Sequence, residues 1–119
     1  MKTFDVTVAA ESEYLRVTTV GKYDFTGLFP LLDLVKNEAT KADRCNVLID
    51  SRGLEGNMTE AERFEGGQKI AELFAGRYKL AVVMPPHTIT RLGELTASNR
   101  GARFHVTDSE ADAIEWLLR

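Results

Sequence analysis

The sequence predicts an α/β fold: a mixed five-stranded sheet with an N-terminal β-hairpin, right-handed β-α units and four helices. Three observations carry that expectation. Two stretches near the N-terminus alternate apolar and polar residues with the period of half-buried strands. Two later stretches, Val47-Leu48-Ile49 and Leu80-Ala81-Val82-Val83-Met84, are continuously apolar, as parallel strands covered on both faces are. Between and after them, apolar residues recur at helical spacing.

Taken in order, Phe4, Val6 and Val8 alternate with Asp5 and Thr7, and Leu15 and Val17 alternate with Arg16 and Thr18. Residues 9–13 are few enough to join them as an antiparallel pair at a sheet edge. Residues 21–27 read as a turn. Leu28, Leu31, Leu32 and Val35 then form one stripe of a first helix, in which Pro30 fits if Gly27 lies near the cap. The helix ends before Asp43 and Arg44.

The central strand spans residues 45–50 and gives way to a loop at 51–58 holding Gly53 and Gly56. Thr59 and Glu62 have the spacing of a capping box, and the second helix places Ala61, Phe64, Gly67, Ala71 and Phe74 on one face. Gly66 and Gly67 each cost about 1 kcal/mol relative to alanine in a helix, so a packing reason is expected for them. Gly76 suits the position after the helix end.

A second buried strand, 78–84, is stopped by Pro85-Pro86, neither of which can donate to a ladder. Thr88 is placed to cap a third helix with Ile89, Leu92, Leu95 and Thr96 inward, ending at Gly101. A short strand over 103–106 follows. Thr107 to Glu110 reads as a second capping box, before a last helix with Ala111, Ile114, Leu117 and Leu118 inward and Trp116 beside them.

The 119 residues are the size of one domain, expected to span 1–119. Apolar residues at 44% and charged ones at 28% are ordinary for a globular protein and exclude wholesale disorder. The net charge is −3 and the basic residues are scattered, which argues against nucleic acid as a partner, since phosphate neutralisation needs a concentrated basic face. Cys45 is the only cysteine, so it forms no intramolecular disulfide, and its place at the head of an apolar strand predicts a buried, inert thiol. Asp5 interrupts the place where a signal peptide needs an apolar core, and no apolar run approaches a membrane span of roughly 18 residues. A cytoplasmic protein is expected.

Three stretches, VLIDSRGLEG, KLAVVMP and ASNRGARFHVTDSEADAIEWLL, together with the element order, resemble the bacterial SpoIIAA-like domains. These share their fold with the STAS anti-sigma-factor antagonists and resemble the lipid-binding lobe of Sec14-type (CRAL-TRIO) proteins. The resemblance covers essentially the whole chain and implies no enzymatic activity. A STAS antagonist carries a phosphorylatable serine at the start of the helix after the central strand, in an Asp-Ser-Ser-Gly-Leu setting. Ile49-Asp50-Ser51-Arg52-Gly53-Leu54 mimics those letters, but Ser51 is expected at the strand end, several residues before the helix. At the helix start Thr59 is the only hydroxyl, and its simpler role is the cap.

The carboxyl ends of the parallel strands gather Asp50, Ser51 and Arg52, then His87, then Asp108. A Ser-His-Asp triad would need a nucleophile elbow, and Ser51 has no glycine on either flank. His87 and His105 are the only histidines and show no metal-ligand spacing with acids. Residues 53–56 lack the G-x-x-x-x-G-K-[ST] and G-x-G-x-x-G patterns of phosphate loops. No catalytic residue, metal or cofactor is therefore expected. The expected function is a non-catalytic regulatory or protein-interaction module resembling STAS domains, binding a protein partner through Asp50, Ser51, Arg52, Met58, Thr59 and His87. The alternative is a carrier of a small apolar ligand or lipid, with Phe25, Leu28, Phe29, Met58, Phe64 and Phe74 lining a pocket. Acids on the second and last helices against Arg91, Arg100 and Arg103 would also suit contact between two copies of the chain, a homodimer.

Overall fold

The computed structural model describes residues 3–90 and 92–119, with the backbone alone for residues 92 and 93. The expectations placed on Arg91 and on the side chain of Leu92 fall outside the described residues. Strands β1 (Phe4–Ala10) and β2 (Leu15–Lys22) are followed by α1 (Phe25–Lys41), β3 (Asn46–Glu55), α2 (Glu60–Phe74), β4 (Lys79–Val83), α3 (Leu92–Asn99), β5 (Arg103–Thr107) and α4 (Glu110–Leu117). A 3-10 turn at Pro86–Thr88 lies between β4 and α3.

The sheet order is β1-β2-β3-β4-β5, with β1 antiparallel to β2 and the other neighbours parallel. The expected hairpin is present, in register from Phe4 opposite Gly21 to Ala10 opposite Leu15. Each of the crossovers through α1, α2 and α3 steps one strand in the same direction. Crossovers of one hand stepping one way must land on one face, and these helices do share a face. Leu32, Val35, Ile70, Phe74 and Ala97 pack there with Val17, Val47, Ile49 and Leu80. On the opposite face α4 stands alone, its Ala113 and Leu117 covering Leu48, Ala81 and Val83. Alternation of side chains along β3 and β4 feeds both layers, hence their uninterrupted apolar runs.

Several local expectations change. Asp24, not a residue near Gly27, caps α1: its carboxylate accepts from Thr26 N–H. Pro30 therefore falls in the second turn, on the exposed side, and removes a bond toward Thr26 O. The central strand does not end at Asp50. It runs to Glu55 because β2 runs to Lys22 and pairs with it past a register shift between Thr18 and Val20. Cys45 is half-buried rather than buried, and the Arg77 guanidinium donates to its Sγ.

The buried stripe of α2 is Arg63, Gly66, Gly67, Ile70, Ala71 and Phe74, so Ala61 and Phe64 point outward. Thr88 does not cap α3; its hydroxyl donates to Pro85 O within the 3-10 turn, and Leu95 is exposed. The cap of α4 is Ser109, which accepts from Asp112 N–H, whereas Thr107 accepts from Ser109 N–H. That shift of start buries Ala113 beside Leu117, which is inward as expected, and leaves Ala111 and Leu118 exposed.

Candidate functional site

Because successive residues of a strand point to opposite faces, β3 divides the predicted constellation. Asp50 and Arg52 face the α4 side. Ser51, between them, faces the layer of α1, α2 and α3.

On the α4 side Asp50 is the centre of an ion cluster. Arg52 donates to it from Nε at 2.9 Å, from Nη2 at 2.8 Å and from its own backbone N–H at 3.1 Å. Arg52 Nη2 also donates to Glu110 Oε1 at 2.9 Å, and Arg16 reaches Glu110 Oε2 at 3.1 Å and Asp50 Oδ2 at 3.8 Å. The hydrogen bond from Arg52 holds the Asp50 carboxyl below the usual carboxylate range. The same bond holds the proton on Arg52 more tightly than on a free guanidinium. This cluster ties β2 and β3 to the N-terminus of α4, where Glu110 also complements the helix dipole.

On the other face Ser51 is 9% exposed, and the Thr19 hydroxyl donates to its Oγ at 3.0 Å. A hydroxyl so placed inside a strand is neither a nucleophile at an elbow nor an open phosphorylation site. Ser51 lines instead an apolar cavity of about 120 Å³ between the sheet and the three helices. Leu28, Leu31, Ile49, Ile70 and Leu80 form much of its wall, and Gly56, Asn57 and Met58 lie where β3 passes into α2. Of the pocket residues expected from sequence, Leu28 and Met58 line it. Phe74 belongs to the solid core, Phe25 and Phe29 form an edge-to-face pair, and Phe64 is exposed beneath the Arg100 guanidinium.

Of the polar groups of this cavity the sequence points to Ser51 and not to the others. Arg63 is 6% exposed; its Nη2 donates to Asn57 Oδ1, and its Nε has no hydrogen-bond acceptor among the described residues. Glu94 also lines the cavity and accepts from Val106 N–H. Tyr23 donates to Glu62 at 3.4 Å, and burial with that carboxylate pushes its phenol well above its ordinary value, so it stays protonated. One signal for Arg63 was legible: it stands in phase with Gly66, Gly67, Ile70 and Phe74.

Thr59 and Glu62 form the expected capping box, with bonds of 3.1 Å and 3.0 Å. His87 is exposed in the 3-10 turn and is not among the residues lining the cavity. His105 lies at 2.8 Å from Asp112 and stacks on Trp116. Among the described residues no group of three or more His, Cys, Asp or Glu is placed to hold a metal ion, and no helix is long and apolar enough to cross a membrane.

No protein-family model matches the chain, and no curated protein does. Solved structures match it nearly end to end. An anti-sigma factor antagonist from Mycobacterium paratuberculosis, 16% identical, superposes with a TM-score of 0.68 over 98% of this chain and 95% of that one. SpoIIAA in its unphosphorylated form, 15% identical, gives 0.54 over 97% and 96%. The fold is SpoIIAA-like. An uncharacterised protein of that fold from Shewanella loihica, 20% identical, gives 0.53 over 96% of this chain and 93% of that one. The SpoIIAA-like architecture expected from the sequence is the one found, and at these identities the likeness is one of fold.

Proposed function

We propose that the chain is a non-catalytic regulatory module that binds a protein partner through the rim where β3 passes into α2. The observation that carries this reading is the end-to-end likeness to an anti-sigma factor antagonist. The rim offers polar groups to a partner: Arg52 is 45% exposed, and Thr59 is exposed at the helix start. Ser51 is buried and the Thr59 oxygen already accepts the Glu62 N–H, so the reading uses no phosphorylated hydroxyl. The test is affinity capture by the full chain against its Arg52→Ala and Thr59→Ala variants, each first shown folded by circular dichroism. A protein retained by the wild type and lost from either variant supports the rim; equal retention by both removes it as the contact surface. Sedimentation of the same proteins reads whether a second copy of the chain is itself a partner.

A second reading, carriage of a small apolar ligand, is favoured by the cavity. Its wall is mostly apolar with a few polar groups, the usual make-up of a ligand pocket.

A further inference from the structure

We propose that the cavity binds a small apolar carboxylate, with its tail against Leu28, Leu31, Ile49, Ile70 and Leu80 and its head group on Arg63. The inference rests on the second reading above and names the ligand class. A guanidinium presents five donors and cannot shed its charge, so burying one requires acceptors and a counter-charge. Arg63 is short of both. One bond goes to the neutral amide of Asn57, and the Nε donates to nothing among the described residues. The nearest carboxylate in its ion pairs, Glu60, stands 3.7 Å from Nε and is itself 70% exposed, so water weakens its hold. A core position on α2 that served packing alone would be filled better by leucine or methionine. A ligand carboxylate supplies what the site lacks, a desolvated anion able to take paired N–H donors.

The apolar walls define the rest of the ligand. At about 120 Å³ the cavity approaches an engineered apolar cavity of about 150 Å³ that takes up benzene, so it suits a short chain or a single ring rather than a long acyl chain. Glu94, the carboxylate in the wall, is already engaged: it accepts from Val106 N–H and lies 3.8 Å from His105 Nδ1. Among the described residues that line the cavity, the Arg63 guanidinium is the charge left without a matched acceptor.

The experiment is a titration of the full chain with hexanoate, 1-hexanol and hexylamine at pH 7, followed by NMR of the Leu28 and Ile70 methyl groups and the Arg63 Nε–H. Hexanoate is expected to bind at least about tenfold more tightly than 1-hexanol and to move the Arg63 Nε–H resonance. Arg63→Met should erase that preference, and Arg63→Lys should keep part of it. Equal binding of hexanoate and 1-hexanol, or tighter binding of hexylamine, overturns the head-group assignment while leaving the pocket. Unmoved methyl groups with all three probes overturn the pocket as well. The comparison among probes on the wild-type chain stands even if a variant fails to fold.

Discussion

Asp50 shows at the scale of one residue how α4 is held to the centre of the sheet. Its carboxylate accepts three bonds from Arg52 and lies near Arg16, so the charged form is favoured and its pKa is depressed. A carboxyl whose folded-state value lies below its unfolded value of about 3.9 stabilises the fold above that value. That contribution is lost as pH falls through the lower, folded-state value. Asp50→Asn should cost about 1–2 kcal/mol at pH 7, because a charge-assisted set of bonds in a network is lost rather than one exposed pair. The difference should narrow as pH falls below about 4, where the carboxyl of the unfolded chain takes up its proton first, and close once pH is below the lower, folded-state value. Urea unfolding of both proteins at pH 7 and near pH 2 measures the two gaps. Asp112, held low by His105, and Asp24, held low by Thr26, titrate in the same sense, so the variant keeps some acid sensitivity. A gap unchanged at low pH would show that Asp50 acts through its shape and not its charge.

At the scale of an element, glycines on two elements answer oppositely to a methyl group. A Cβ at Gly66 would sit 3.3 Å from Leu28 Cδ2, the tip of a half-buried side chain beside the cavity. That tip can yield, and replacing a mid-helix glycine gains up to about 1 kcal/mol, so Gly66→Ala should stabilise α2 in urea unfolding. At Gly21, φ is +134° and a Cβ would lie 2.6 Å from Thr3 O and 2.7 Å from Phe4 Cα. Backbone does not yield, and Gly21→Ala should cost about 2 kcal/mol or more by the same measurement. A loss at Gly66 comparable to that at Gly21 would mean the α1–α2 contact is rigid. The same two places show what sequence can and cannot display. Alternation and apolar runs located four of the five strands, because each reports burial directly. The extension of β3 over Ser51 to Glu55 left no such trace, since it depends on β2 continuing as a partner through Lys22. The face of α2 was misread for a related reason: hydrophobicity favours Phe64 over Arg63 inside, yet the helix buries the arginine beside a cavity and leaves the phenylalanine out. The buried arginine of the cavity is thus where local pattern and tertiary structure disagree.

For the whole molecule the two faces of the sheet are unequally covered. Three helices share one face, whereas on the other the eight residues of α4, with Tyr14 beside them, cover Leu48, Ala81 and Val83. The attachment of α4 is compact: Leu117 is 1% exposed, Lys79 Nζ donates to the carbonyls of Trp116 and Leu117, and Arg16 and Arg52 hold Glu110 at the other end. A single short helix with few buried side chains is the natural unit to open before the rest. Leu117→Ala should therefore cost about 2–5 kcal/mol by loss of its buried methyl groups and the space left behind. If α4 opens alone, its amides should exchange with deuterium at least about 30-fold faster in the variant, a factor set by about 2 kcal/mol at 1.4 kcal/mol per decade. Amides of β3 and α1 that exchange by global unfolding should accelerate as well, because that opening also loses the Leu117 contacts; the separate opening of α4 is read in the wild type, where its amides should exchange faster than those of β3 and α1. Binding of a hydrophobic dye should rise in parallel, because the face of Leu48, Ala81 and Val83 becomes accessible. Equal exchange across α4, β3 and α1 in the wild type, with no dye binding by the variant, would instead show that the lone helix is part of one cooperative core, with Leu117 as necessary to the three-helix face as to its own.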